Sequence, residues 1–249
     1  MSSAVRVEHL NLAAGIPLVN DVSFEVAAGE AVGIVGESGS GKSLTLRSII
    51  GLLPRGVVKT AGVIETVGNV GMVFQDPLTA LDPLMPVGRQ VAEVSRFAHN
   101  STRAEATAHA IQLFEQVRLP DPAGKARSYP HQLSGGQRQR IVIAMALAAD
   151  PAILLCDEPT TALDVTVQKE ILALLERLRR ELDLAVVFVS HDLAVVSSVC
   201  SRLIVMNLGS IVETGPTAEV IARPQHAYTK KLLDAVLPLP GLSTAGGAS

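Results

Sequence analysis

The stretch Gly36-Glu37-Ser38-Gly39-Ser40-Gly41-Lys42-Ser43 constrains this chain more than any other. It fits G-x-x-x-x-G-K-[ST], a loop whose backbone N–H groups turn inward around a phosphate. Glycine lets such a loop take backbone angles closed to other residues. Lys42 adds a mobile positive charge for the β- and γ-phosphates, and the Ser43 hydroxyl can ligate Mg²⁺. The flanks agree. Ala31-Val32-Gly33-Ile34-Val35 is an apolar run of strand length, and Leu44 to Leu53 reads as a helix whose positive N-terminal end faces the anion. Flexible Gly/Ser linkers are rarely bracketed so tightly by a buried strand and an apolar helix.

A loop of this kind needs a sheet behind it, and the composition suits one. Of the 249 residues 48% are hydrophobic, but only 3% are aromatic and there is no Trp. Val, Ile, Leu and Ala therefore build the core, as in a parallel sheet covered by helices. The net charge is −3 with no basic run, so nothing in the electrostatics favours nucleic acid. Cys156 and Cys200 are too few and too scattered for a disulfide framework or a metal knuckle, which favours a reducing compartment. The N-terminus shows no basic region followed by an apolar stretch, so no signal peptide is read there. The most apolar stretch, Ile141 to Leu155, is broken by Asp150-Pro151 short of a membrane span.

Val5 to Leu12 and Val22 to Val26 alternate apolar and polar with period two, as half-exposed antiparallel strands do. Leu53-Pro54-Arg55-Gly56 is expected to end the first helix, and Val63-Ile64-Glu65 with Val70 to Phe74 to form a strand pair. From about Thr79 to Gln132 no strand-like run occurs. Val87 to Phe97 and Arg103 to Val117 are helical in period, which predicts an inserted helical part. A helix over Gly135 to Ala149, a strand at Ala152 to Cys156, a helix over Val165 to Leu182 and a strand at Ala185 to Val189 follow. Leu203 to Met206 and Ser210 to Glu213 read as a closing hairpin, and the Pro/Gly/Ser/Ala-rich tail as disordered. The expected division is a core of residues 1–78 and 133–237, a helical part 79–132 and a tail 238–249.

Asp157 and Glu158 follow a continuous apolar strand at its C-terminal end, where open α/β sheets place their ligands. The first carboxylate can hold Mg²⁺ through water, and the second can accept a proton from attacking water. Gln75 and His191 each end another apolar run, so both can reach the γ-phosphate from the same edge. Taken alone, His191 is explained as well by a structural role. Leu133-Ser134-Gly135-Gly136-Gln137 stands directly before a helix and makes a second anion site. One nucleotide cannot fill both sites if the helical part separates them. Two copies facing head to tail would pair each loop with the partner's Ser-Gly-Gly.

At this point the chain resembles the ATP-binding-cassette ATPases. Gly36 to Ser43, Gln75, Leu133 to Gln137, Ile153 to Glu158, Ala162-Leu163-Asp164 and His191 occur in that family's order, and the resemblance runs to about Leu237. It implies an α/β fold: a P-loop NTPase core, a parallel sheet flanked by helices, with an antiparallel β subdomain and an inserted helical subdomain. The implied ligands are ATP and Mg²⁺. Gly36, Glu37, Ser38, Gly39, Ser40, Gly41, Lys42, Ser43 and Leu44 would surround the nucleotide. Ser43, Gln75 and Asp157 would hold the metal. Glu158 would be the general base and His191 would hold the γ-phosphate, with Gln75 and Lys42 completing the catalytic set. Ser134, Gly135, Gly136 and Gln137 would act on the opposing subunit's nucleotide, and Asp164 would communicate across that interface.

Phe74-Gln75-Asp76-Pro77, Ala80-Leu81-Asp82-Pro83, Tyr129 to Leu133, Asp157 to Val165 and Pro224 to Thr229 are similar to the peptide/nickel importer branch. The short length, Leu53 to Val57 and Pro17-Leu18-Val19 resemble nickel-type subunits. The resemblance implies a second ABC ATPase subunit, identical or homologous, two transmembrane permease subunits and an extracytoplasmic substrate-binding protein. It places the chain at the cytoplasmic face of the membrane, attached through the permeases only, with nickel or small peptides as cargo. Two features depart from the pattern. Leu12-Ala13-Ala14-Gly15 offers no ring where many relatives stack adenine, which leaves ATP-over-GTP selectivity open, and the segment between Ile64 and Val70 is short. The competing class is a soluble cassette ATPase of the DNA-repair or translation type, which would carry coiled coils, zinc modules or paired cassettes. A regulatory module without turnover would lack the base, whereas Glu158 and His191 are both present.

Overall fold

Three strands, β3 (Ala31–Val35), β6 (Ile153–Asp157) and β7 (Ala185–Val189), are buried at every residue, so only a sheet covered on both faces can hold them. The computed structural model describes residues 3–161 and 163–236. In chain order, β1 (Ser3–Ala13) and β2 (Pro17–Ala27) lead to β3, the loop and α1 (Lys42–Ile49). Next come β4 (Val58–Thr66), β5 (Val70–Val73), α2 (Pro77–Ala80), α3 (Val87–His99), α4 (Arg103–Gln116) and α5 (Pro122–Lys125). A 3₁₀ turn at Pro130–Gln132 precedes α6 (Gly135–Leu147), then β6, α7 (Val165–Glu181), β7 and α8 (Leu193–Val199). The chain closes with β8 (Arg202–Asn207), β9 (Ser210–Pro216), α9 (Thr217–Ala222) and α10 (Ala227–Val236).

The larger sheet runs β5-β6-β7-β3-β8-β9, parallel except for β9, which pairs antiparallel with β8. This order sets the carboxyl ends of β5, β6, β7 and β3 side by side along one edge. The smaller sheet, β2-β1-β4, is antiparallel. Its buried series on β1 steps from Val5 and Val7 to Leu10 and Leu12. The extra residue falls where His9 takes φ 49° and Asp21 on the partner strand φ 51°, a bulge that keeps the apolar face inward. Side chains of the larger sheet divide between two cores. Val32, Ile34, Leu155, Val187 and Met206 face the small sheet and α1. Val35, Leu154, Cys156, Val186 and Phe188 face the opposite way, toward α6, α7 and the packed side chains of α3 and α4. Cys156 and Cys200 are both buried free thiols.

Two expectations are corrected. The strands near Ile64 and Val70 do not pair with each other. β4 pairs with β1 (Val7 opposite Ile64), while β5 pairs in parallel with β6 (Val70 opposite Ile153). Val67 to Asn69, with Gly68 at φ 85°, carries the chain from one sheet to the other. The helix after the loop spans Lys42–Ile49 rather than Leu44 to Leu53. It begins inside the motif because Gly41, at φ 99°, is its N-cap, and Gly51 at φ 70° stops it before Pro54 is reached. The tail 238–249 and Ala162 lie outside the described residues.

Candidate active site

The loop is shaped before any ligand arrives. A Cβ on Gly36 would lie 2.2 Å from the Met206 carbonyl oxygen, so only glycine lets β3 hand over to the loop beside β8. Glu37, Ser38 and Gly39 form an exposed tip, and the chain turns back through Ser40 and Gly41 into α1. Lys42 is 5% exposed, and its Nζ donates to the carbonyl oxygens of Gly36 and Glu37, each at 2.8 Å. Burial lowers its pKa, while Glu158 and Asp157 act in the opposite sense.

From the next position on α1, the Ser43 hydroxyl donates to Asp157 Oδ1 at 2.7 Å. Asp157, at the end of β6, is 2% exposed. Its other oxygen lies 3.7 Å from Arg47 Nη2, one turn along α1. Burial raises the Asp157 pKa against the pull of Ser43, Arg47 and Lys42. Glu158 follows with φ 47°, a left-handed backbone that turns its side chain along the sheet edge. Three donors meet at Glu158 Oε2: Gln75 Nε2 at 3.1 Å from beyond β5, the Thr161 hydroxyl at 2.9 Å, and His191 at 3.1 Å from beyond β7. His191 approaches with Nδ1. The loop, Ser43, Asp157, Glu158, Gln75 and His191 thus lie together. Thr161 and Arg47 join them without a signal that sequence reading used, since a hydroxyl three residues past an acid and a cation one helical turn past a lysine are both common.

Ser134 to Gln137 are built differently. Ser134 is the N-cap of α6: its Oγ accepts from the Gln137 N–H at 3.3 Å, and Gln137 Oε1 accepts from the Ser134 N–H at 3.2 Å. Arg138 donates to the Leu133 carbonyl at 2.6 Å. A Cβ on Gly136 would meet Val167 of α7 at 2.7 Å, so Gly136 marks a close approach of the two helices. Asp164 caps α7 by accepting from Thr166 and Val167 N–H at 3.1 and 3.0 Å. Among the described residues, no hydrogen bond or ion pair joins Ser134–Gln137 or Asp164 to residues 36–43 or 157–158. The first amides of α6 have no intrahelical acceptor, as at any helix start.

A phosphate loop on a parallel sheet, with a buried aspartate, an edge glutamate and a second glycine-bearing helix start, defines a cassette of the nucleotide-hydrolysing kind. The chain belongs to the ABC transporter family, whose pattern matches residues 19–161. It is 46% identical over 233 residues to a Sinorhizobium fredii (strain NBRC 101917 / NGR234) protein named as a peptide ABC transporter ATP-binding protein, covering 86% of this chain and 70% of that one. It is 42% identical over 262 residues to the glutathione import ATP-binding protein of Escherichia coli (strain K12), covering 94% of this chain and 42% of that one. A solved dimer of the ATP-binding cassette MJ0796, in a post-hydrolysis state bound to ADP and Pi, superposes with a TM-score of 0.74 at 30% identity, covering 86% of this chain and 98% of that one. The chain is an ATP-binding, ATP-hydrolysing transport subunit.

Proposed function

We propose that this ATPase drives import of small peptides, as one of two cassettes that close over ATP and Mg²⁺. The convergence of Gln75, Thr161 and His191 on one oxygen of Glu158, beside the Ser43–Asp157 pair, is the observation that carries the reading. Glu158 takes the proton of the attacking water, and Gln75 and His191 fix its carboxylate and reach the γ-phosphate. Lys42, Ser43, Leu44 and the loop amides position the phosphates. Ser43 and Asp157 offer oxygen donors within 2.7 Å of each other, a hard set that fits Mg²⁺, with Gln75 at the adjoining strand end. Bound there, the ion supplies charge that neutralises the phosphate oxygens.

The exposed Ser134 and the amides of Gly135 and Gly136, with Gln137 beside them, complete the opposing subunit's site, and Asp164, at the N-cap of α7, links the two halves. Residues 1–78 and 133–237 act as the ATP-binding core and 79–132 as an inserted helical subdomain that meets a permease. Support for the second role is a cavity of about 430 Å³ between α3, α4 and α5. Gly88, Ala92, Ala106 and Ala110 line it, and Arg89, Arg96, Arg103 and Arg127 stand around it with one carboxylate, Glu93, which lies 4.0 Å from Arg89 and 3.1 Å from Arg96. Small apolar residues with a rim of four arginines against one glutamate suit a permease loop carrying both apolar side chains and carboxylates. Among the described residues no helix is long and apolar enough to cross a membrane. In this reading the chain sits at the cytoplasmic face through two permease subunits, supplied by an extracytoplasmic binding protein.

The names of the relatives support peptide cargo. Uptake of a labelled dipeptide and of radiolabelled nickel, measured in parallel in cells lacking this chain, tests it. Loss of dipeptide uptake alone is expected. Loss of nickel uptake alone would move the chain to the metal branch, and persistence of both would overturn the importer reading.

A further inference from the structure

One peptide unit of the phosphate loop is held at both ends. The carbonyl of Gly36 accepts from Lys42 Nζ at 2.8 Å, and the N–H of the same peptide, on Glu37, donates to the Tyr228 hydroxyl oxygen at 2.8 Å. Tyr228 comes from 191 residues away, on the first turn of α10. Its ring is half-buried and packs against the helix-side core. The start of α10 is itself anchored. The Glu213 carboxylate on β9 accepts from the Gln225 and His226 N–H groups at 2.8 and 3.0 Å, and the Tyr228 N–H donates to His226 Nδ1 at 3.1 Å. Lys231, one turn further, places its Nζ 4.0 Å from Glu37 Oε1.

The Gly36–Glu37 peptide sits where the loop leaves the sheet. Gly36, at φ 153°, has no side chain to restrict it, and residues 37 to 39 are exposed. Rotating this peptide would turn the Gly36 oxygen away and remove one of the two carbonyls that hold Lys42. Tyr228 opposes that rotation. The lysine on the carbonyl also polarises the peptide, so its N–H donates more strongly to the phenol oxygen. A Glu37 amide committed to Tyr228 is not part of the phosphate cradle, which then starts at Ser38.

We infer that Tyr228 is a positioning residue for the phosphate loop: its hydroxyl oxygen holds the Gly36–Glu37 peptide so that Lys42 is aimed at the nucleotide, and through it helix α10 sets the loop's affinity for ATP. This rests on the reading of residues 36–43 as the ATP site. Tyr228→Phe in the full chain keeps the ring and removes only the acceptor. Binding of a fluorescent ATP analogue, KM and kcat for ATP hydrolysis and the melting temperature would be measured beside Lys42→Ala. Loss of one ordinary hydrogen bond corresponds to about fivefold. Kd and KM are therefore expected to rise about fivefold, with kcat within about twofold and the melting temperature lowered by no more than about 4 °C. Unaltered Kd and KM in Tyr228→Phe, with affinity lost in Lys42→Ala, would overturn the inference and leave the ATP site standing. Unaltered affinity in Lys42→Ala would overturn the site reading itself. A lower kcat or melting temperature with KM unchanged would reduce Tyr228 to packing.

Discussion

The edge of the parallel sheet and the helical segment between β5 and β6 are held by different kinds of contact. At the sheet edge the polar ties that bring the reacting groups together are long-range: Ser43 to Asp157, Gln75 to Glu158 and Glu37 to Tyr228 join residues 114, 83 and 191 positions apart. In the helical segment many are local. Asp76 caps α2, Thr102 and Glu105 form a capping box on α4, and Glu93 sits between Arg89 and Arg96 on α3. The Gln90 side chain closes the Asp82–Met85 turn from eight residues away or fewer. It joins the rest through apolar packing, with Leu113, Phe114 and Val117 in the same core as Ile141 and Val142, and through the backbone carbonyls at the end of α4, where Arg140 of α6 donates to the Val117 oxygen at 2.9 Å and Arg177 of α7 to the Gln116 oxygen. The first arrangement exists only once the sheet has assembled, and it fixes reacting groups at hydrogen-bond distances. The second holds much of its own shape by local contacts, and the arginines that tie it to α6 and α7 are not among the groups that meet at Glu158. That is what a part relaying movement to another protein needs.

The largest test of the contrast is Glu158→Gln. The amide keeps the shape and can still accept from Thr161 but cannot take a proton, so turnover should fall by about 10²–10⁴-fold. ATP affinity should stay within a few-fold, since the phosphates rest on the loop and Lys42. Single-turnover hydrolysis beside equilibrium binding separates the two, and normal hydrolysis would remove Glu158 from its role as base.

Asp157→Asn comes next. Burial raises the Asp157 pKa above its unfolded value. The contribution this residue makes to folding is thus present in full below the unfolded pKa and is lost as pH rises through the folded one. Above that folded pKa the ionised side chain is a cost in the ligand-free chain, one that a bound cation would offset. The substitution should raise the melting temperature of the ligand-free chain by a few degrees at pH 7, with the difference shrinking toward pH 4, and should weaken Mg²⁺-dependent ATP binding. A lower melting temperature at pH 7 would mean that the Ser43 and Arg47 contacts outweigh the burial of the charge.

The same contrast explains what could be read from the chain. The loop and the positions of Gln75, Asp157, Glu158 and His191 are legible because each stands at the end of an apolar run, and parallel strands end at a common edge. The helices of the inserted segment are legible from their period. Partnerships across the chain are not. The pairing of β5 with β6 depends on a strand about eighty positions downstream, and nothing local in Val70–Val73 names it. Thr161 reaches Glu158 only because the left-handed backbone at Glu158 folds the chain back. Tyr228 is visible as part of a motif, but its contact with Glu37 needs α10 seated against the core. The first helix is misjudged at its end because its apolar residues continue past Gly51, whose φ of 70° stops it.

The smallest effect on hydrolysis is expected where the second kind of contact rules. Arg89 and Arg127 are exposed at the cavity between α3, α4 and α5, and neither touches a residue of the nucleotide site among the described contacts. Arg89→Glu with Arg127→Glu should leave ATP hydrolysis by the unassembled chain within about twofold, because surface charges of this kind contribute little to the fold and are screened beyond about 10 Å. In the assembled transporter the reversed charges would oppose the carboxylates expected on a permease loop, so transport and transport-linked hydrolysis should fall together. Measuring both preparations decides the role of the segment. If transport survives the double reversal, the docking surface lies elsewhere, and the locally held helices serve only to cover the sheet. If hydrolysis falls in the isolated chain as well, the helical segment is tied to the sheet edge by more than apolar packing and the α6 and α7 arginines, and the contrast between the two regions fails.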